Sequence, residues 1–289
     1  MQLMKEYFIR PGDDIQKAFD SVLEGATIRL AAGIYRQKCV IRVPGLTISG
    51  ENAEKTVIVW DDYAKKKDKS GREYNTFRTW TMAVCADGVT IQNLSVINDA
   101  LCPELKGQEV ALSVHGDNFF MRNCVLRSTQ DTLFLAPLPP DLIDRYAGFL
   151  PDELRENRPL SQRFEDCRIE GTVDFIFGCG TATLERCEIR SLRDARNIGF
   201  VAAPAHSLSQ KKGFLFRNCR FTAEDGVTGI YLARPWRDYG MTRFENCAYD
   251  AHIAPEGFDK WNDTNRNLTA RFEEYPPVPG RVSWCNRDA

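Results

Sequence analysis

MRNCVL (121–126), FEDCRI (164–169), LERCEI (184–189), FRNCRF (216–221) and FENCAY (244–249) are five versions of one phrase. Each holds a polar pair, then Cys, then one residue, then an apolar one. IQNLSV (91–96) fits the same frame with Leu94 in the cysteine position. From Leu94 through Cys124, Cys167, Cys187, Cys219 and Cys247 the intervals are 30, 43, 20, 32 and 28 residues. Self-similarity on this scale marks a stack of repeated structural units. The flanking residues alternate apolar and polar and are rich in β-branched and aromatic types, as in VTIQNLSVIN (89–98) and GFLFRNCRF (213–221). They read as strands. Helical periodicity is confined to DIQKAFDSVL (14–23), which predicts one short helix. Many short strands without a strand–helix–strand rhythm leave a sandwich, a propeller or a parallel β-helix. Irregular intervals disfavour a propeller. In a β-helix each coil lies about 4.8 Å above the last, insertions leave at the corners, and equivalent residues form ladders. The five cysteines then read as a ladder of buried thiols.

Composition narrows the class. The chain has 289 residues, 43% hydrophobic and 27% charged, with net charge −2. That is an ordinary globular composition without a basic field for nucleic acid or an anionic membrane. No apolar run reaches the roughly 18 residues that a transmembrane helix needs. MQLMKEYFIRPGDDIQ (1–16) lacks the apolar centre of a secretory signal, so a cytoplasmic protein is expected unless a leader was removed. The ten cysteines form no CxxC pair or zinc-spaced cluster, which predicts free thiols in a reducing compartment.

The interval of 43 residues contains APLPPDLIDRYAGFLPDELRENRPLSQ (136–162), with five prolines. It reads as an excursion from one coil, and such long loops are often functional walls. A second excursion, DDYAKKKDKSGREYN (61–75), is basic at its centre; such runs are usually solvated.

There is no GxSxG, HExxH, P-loop or GxGxxG, and there are three histidines. What remains is carboxylates, amides and an arginine in apolar surroundings: Gln108 in GQEVALSVHGD (107–117), Gln130 and Asp131 in STQDTLFLAP (128–137), Asp174 in GTVDFIFG (171–178), and Arg234 with Trp236 in YLARPWRDYG (231–240). Asp174 poses the sharpest question, because a buried, unpaired carboxylate costs several kcal/mol. It requires a partner.

In this order, Q-x-V-A-L (108–112), Q-D-T-L (130–133), G-T-V-D-F-I-F-G (171–178) and R-P-W (234–236) resemble the pectin methylesterase (pectinesterase) family. The resemblance extends through AAGIYRQK (31–38), DGVTIQNLSVIND (87–99) and HIAPEGF (252–258). It implies an all-β chain, a right-handed single-stranded parallel β-helix over 1–289, with one short N-terminal helix and loop excursions at about 61–75 and 136–162. It implies hydrolysis of the C6 methyl esters of homogalacturonan or methylated oligogalacturonides. By the same resemblance Asp174 is the nucleophile and Asp131 the general acid/base. Gln108 and Gln130 stabilise the oxyanion, and Arg234 holds the nucleophile. Trp236, Phe177, Val173 and Thr81 contact the sugar. No cofactor or metal is implied, the partner is the pectic substrate, and the protein is expected to be a monomer. A single domain without an inhibitor region points to a bacterial source. The sequence departs from the family at Gln37, where Glu is usual, at Cys179, where Asn or Ser is common, and in the length of 136–162.

The chemistry agrees with those roles. Two neighbouring carboxylates in a low-dielectric groove split their pKa values, and the one beside a guanidinium keeps its charge. Glycoside hydrolysis, calcium-dependent lysis, an esterase for another acyl group, and a non-catalytic sugar-binding β-helix are the alternatives on such a scaffold. The first two would carry their own carboxylate clusters, which the sequence does not display.

Overall fold

A left-handed corner decides the architecture. In the computed structural model, which describes residues 6–286, the residue before each repeated Cys, or before Leu94, has positive φ. Asn93, Asn123, Asp166, Arg186, Asn218 and Asn246 lie between 50° and 58°. Asn and Asp tolerate this region better than other residues with a Cβ. The polar pair of the repeat is therefore a turn. Each corner N–H donates to the next coil: Asn123 to Glu165 O at 3.0 Å, Asp166 to Glu185 O at 3.1 Å, Asn218 to Glu245 O at 2.8 Å. The hydrogen-bond ladder thus continues round the bend.

Short strands on either side of these corners stack into three parallel sheets of ten, eight and seven strands. One coil is Ser161–Glu165 in the first sheet, Arg168–Gly171 in the second and Val173–Gly178 in the third. The next is Thr181–Glu185, Glu188–Ser191 and Phe200–Pro204. This is a parallel β-helix, as expected. Register aligns equivalent side chains: Ile28, Ile48, Ile91, Met121, Phe164, Leu184, Phe216 and Phe244 form one inward column, and all are fully buried. Phe216 and Phe244 stack face to face with centroids 4.8 Å apart, which is the strand spacing itself. Burying each large side chain stabilises by about 1.5–3 kcal/mol.

The repeated cysteines form a second column. Each thiol donates to the carbonyl two residues before it, at 3.2–3.6 Å. All ten cysteines are free. The expected helix is Ile15–Ser21; Asp14 caps it, and Ile15 and Phe19 face the interior. Gln37 sits at this cap, accepting from Ile15 N at 2.9 Å and donating to Asp13 O at 2.7 Å. An ionised glutamate there could not make the second bond. Residues 1–5 and 287–289 of the expected 1–289 domain, and the first five residues of the stretch read for a leader, lie outside the described residues. Among the described residues no helix is long and apolar enough to cross a membrane.

The excursion after the third-sheet strand Leu133–Leu135 is not all loop: it contains a helix, Pro140–Arg145. Pro140 occupies its first turn, where a missing N–H costs nothing. Leu138, Leu142, Leu150, Leu154 and Leu160 bury against Phe134, Phe177 and Ala203 on the outer face of the third sheet. The excursion is therefore a packed wall. The 61–75 loop meets it: Arg72 lies 4.1 Å from the Phe149 ring centre, and Tyr146 donates to Asn75 at 3.0 Å. Its central lysines are partly neutralised, with Lys66 2.6 Å from Asp62.

The corner argument has a direct test at the exposed Asn246. Asn246→Val is expected to destabilise by about 1–2 kcal/mol, because a β-branched residue is strained at positive φ. Asn246→Gly is expected to lose far less. Urea midpoints compare the two; indistinguishable values would remove the corner from the account.

Candidate active site

Strand Val173–Gly178 is where alternation fails. Its pairing with Phe200–Pro204 shifts register between Val173 and Ile176. Phe175 and Ile176 both pack in the interior, while Phe177 joins the outer apolar cluster. The shift is a bulge, and bulges re-aim side chains beside active sites. Here it turns Asp174 out to the surface cleft. Asp174 has φ 50° and Asp131 has φ 69°, so both carboxylates ride on left-handed backbone costing on the order of 1–3 kcal/mol each. Asp131 N–H donates to Val173 O at 3.0 Å, tying the two segments together. The motif's glycines are space requirements. A Cβ at Gly171 would lie 2.3 Å from Phe175 Cβ, and one at Gly178 would lie 2.0 Å from Leu135 O.

Arg234 is the partner Asp174 requires. Its Nε donates to Oδ1 at 2.8 Å and its Nη2 to Oδ2 at 2.7 Å. The guanidinium is clamped between the Phe200 ring, 3.7 Å away, and the Trp261 ring, 4.1 Å away. Such stacking suits the weakly hydrated, planar cation. Burial raises the Asp174 pKa and the fork from Arg234 opposes that rise. Asp131 is pushed well above the carboxylate range by burial and then by the charge of Asp174. Asp131 is thus the proton-holding member of the pair.

Gln108, Gln130, Asp131, Asp174, Phe177, Arg234 and Trp236 meet in one cleft of about 460 Å³. Aromatic rings floor it: Phe77, Phe134 and Phe177 pack with centroids 5.0 Å apart in successive pairs, and Trp236 meets Phe177 edge-on at 5.8 Å. Gln130 Oε1 receives Arg196 Nη1 and Nη2, each at 3.3 Å. Two expected sugar contacts do not reach the cleft surface. Thr81 is fully buried and donates to Ile97 O at 2.9 Å. Val173 is buried under the bulge, where its carbonyl serves Asp131. Cys179 is buried beside a separate cavity. Its thiol lies 3.0 Å from Ala205 O, and burial raises its pKa to about 12.

The sequence reading missed Thr76, Phe77, Leu142, Arg145, Tyr146, Arg237 and Trp261, which also line the cleft. Leu142, Arg145 and Tyr146 belong to the excursion, whose length was the only signal. Trp261 follows Asp259, whose carboxylate accepts its N–H at 2.7 Å; an aromatic after an Asx turn was the available cue.

A paired carboxylate dyad with amide donors over an aromatic floor, on a parallel β-helix, is the equipment of a carboxylic ester hydrolase acting on a carbohydrate. The family model described as Pectinesterase matches residues 12–137 and 156–286, and the chain belongs to the pectinesterase family. The unmatched interval falls within the excursion. Among curated relatives, "Pectinesterase 31" of Arabidopsis thaliana is 33% identical over 272 residues, covering 90% of this chain and 77% of its own. Among solved structures, pectin methylesterase PemA from Erwinia chrysanthemi superposes with TM-score 0.80 at 24% identity, over 98% of this chain and 93% of that one. A pectin methylesterase in complex with a hexasaccharide gives 0.79 at 26% identity, over 93% and 86%. Relatives from a plant and a bacterium do not select the expected bacterial source.

Glu109, beside Gln108, is a buried carboxyl whose Oε1 has no partner among the described residues. Burial raises its pKa from 4.5 to about 7. Thr129 donates to it, and the charges of Lys106 and Glu104 act on it in opposite directions. The folded protein therefore keeps a proton that the unfolded chain has lost, so this group's contribution to stability falls as pH rises from 4.5 to about 7 and is flat above. Glu109→Gln is expected to flatten stability across that window. Urea unfolding at both ends of it checks this; equal slopes for the two proteins would mean that Glu109 is ionised in the fold.

Proposed function

We propose that the chain hydrolyses C6 methyl esters of galacturonate residues in homogalacturonan or methylated oligogalacturonides, with Asp174 as nucleophile and Asp131 as acid and base. The observation that carries this reading is the two-pronged Arg234–Asp174 pair beside a second buried carboxyl, Asp131, whose pKa is raised by burial and by the charge of Asp174. Asp174 attacks the ester carbonyl carbon, and the carbonyl oxygen becomes an oxyanion. The amides of Gln108 and Gln130 donate to it; one such donor is typically worth about 3 kcal/mol. As the bond to the methoxy oxygen breaks, Asp131 gives its proton to that oxygen and methanol leaves. Asp131, now a base, takes a proton from water, whose oxygen attacks the acyl-enzyme. The tetrahedral intermediate collapses, breaking the bond to Asp174, whose carboxylate returns to Arg234; Asp131 keeps its proton, and the freed galacturonic acid gives its own to solvent.

The aromatic floor supports a sugar ring as the ligand, since apolar ring faces stack on aromatic side chains. The hexasaccharide named with a related pectin methylesterase supports a chain of several residues. Pectin as an extracellular polymer favours action outside the cell, whereas ten unpaired thiols favour a reducing compartment and short substrates.

Methanol release from highly methylated pectin and from a methylated trigalacturonate tests the reading. Wild type is expected to release methanol, and Asp174→Asn to lower kcat by at least about 10³-fold with the fold intact, as removal of a nucleophile does. Near-normal turnover by the variant would rule out the nucleophile. The ratio of the two rates separates polymer from oligomer preference.

A further inference from the structure

An amide donor brings a problem of its own. Glutamine presents an NH₂ and an oxygen at ends of nearly equal shape, and only the NH₂ helps an oxyanion. For Gln130 that choice is made from behind. Arg196 places Nη1 and Nη2 each 3.3 Å from Gln130 Oε1. A guanidinium only donates, so the amide oxygen must face it and the NH₂ must face the other way. Gln130 itself lines the cleft, beside Asp131 and Asp174.

Arg196 is itself held. Its Nε donates to Asp194 Oδ1 at 2.8 Å and its Nη2 to Asp194 Oδ2 at 2.7 Å. The Arg196 backbone N–H donates to the same carboxylate at 2.8 Å. The Asp194 side chain is 1% exposed, and its segment is tied to the strand that leads into Asp174, with Leu192 N–H donating to Gly171 O at 2.8 Å. A buried anion anchored to the nucleophile's own segment therefore fixes the arginine, and the arginine fixes the amide.

We propose that Arg196 is a positioning residue for the ester hydrolysis, locking Gln130 with its NH₂ toward the substrate's carbonyl oxygen. The proposal rests on Gln130 being an oxyanion donor. Two effects follow. The amide cannot flip between turnovers, and a hydrogen bond to its oxygen polarises the amide and strengthens its N–H as a donor. Arg196 also brings positive charge that favours the ionised forms of Asp131 and Asp174.

The test is a double-mutant cycle on methanol release from methylated pectin. Gln130→Ala is expected to lower kcat by about 10²–10³-fold, as loss of an oxyanion donor does. Arg196→Ala is expected to lower kcat by about 10–50-fold, within the range of lost supporting contacts, with KM changed by less than about threefold. Placed in the Gln130→Ala background, it is expected to add less than about twofold, because the residue it positions is gone. Arg196 is one-third exposed, so added guanidinium ion is expected to restore part of the activity of Arg196→Ala and none of that of Gln130→Ala. A merely structural arginine would show neither the rescue nor the lost additivity. If Gln130→Ala is impaired while Arg196→Ala turns over normally, or the two losses multiply in full, the positioning role is overturned and the oxyanion reading stands. If Gln130→Ala itself turns over normally, the oxyanion reading falls and the inference with it.

Discussion

Each coil must hand its peptide groups to the next at one fixed height, and the rest of the molecule is arranged around that hydrogen-bond ladder. Parallel strands allow no slack within a sheet, so direction changes and insertions are confined to corners. The left-handed Asn and Asp residues are the cheapest way to turn without breaking the ladder. The same constraint sorts the interior into columns, because a residue's nearest neighbours are its own equivalents one coil away. The column that begins at Ile28 reaches Phe244 and meets Glu274 at the last strand. There the polarity is answered by Arg281, 2.7 Å away and itself largely buried, so the stack ends on a charge pair instead of an open apolar face.

Chemistry enters where the ladder is bent. Strict alternation back from Ile176, which faces inward, would put Asp174 inside as well; one extra residue reverses the phase and sends Asp174 outward. The surrounding ladders hold the strained backbone that results, as strained functional residues require. Burial of Asp174 and Arg234, 11% and 13% exposed, is costly for each ion alone and is offset only by the two-pronged geometry and the flanking rings. Loss of one partner from such a pair typically costs about 3–5 kcal/mol. The carboxylate among apolar residues is thus explained by a partner 60 positions away in sequence.

Repetition and motif were legible in the sequence, and both depend on local residue identity. The cysteine phrase exposed the coil period because each coil repeats the same inward position. The four motifs exposed Gln108, Gln130, Asp131, Asp174, Arg234 and Trp236, and the structure gathers these into one cleft. The bulge was not legible, since GTVDFIFG reads equally as a continuous strand. Thr81 and Val173 were placed at the sugar by resemblance, but side-chain direction depends on register, and register sends both into the body. Phe200 and Arg196 were invisible, and Trp261 carried only the cue of its Asx turn, because their roles exist only after coils stack. Each touches a partner more than 25 residues away.

The thiol column has a consequence for how the molecule comes apart. Stacked, Cys167, Cys187 and Cys219 have their pKa values pushed up by the preceding thiol in the column and by burial. Order along the column is order along the chain, and each thiol already sits beside the partner that oxidation would give it. Unstacking two coils frees thiols separated by only 20 to 43 residues, which are loops short enough to close readily. In an unravelled chain an oxidant can also join thiols that are not neighbours in the column, and such a disulfide would hold two coils out of register. Chemical inertness here is a property of the pile, not of the sulfur, and handling this protein unfolded is a different matter from handling it folded.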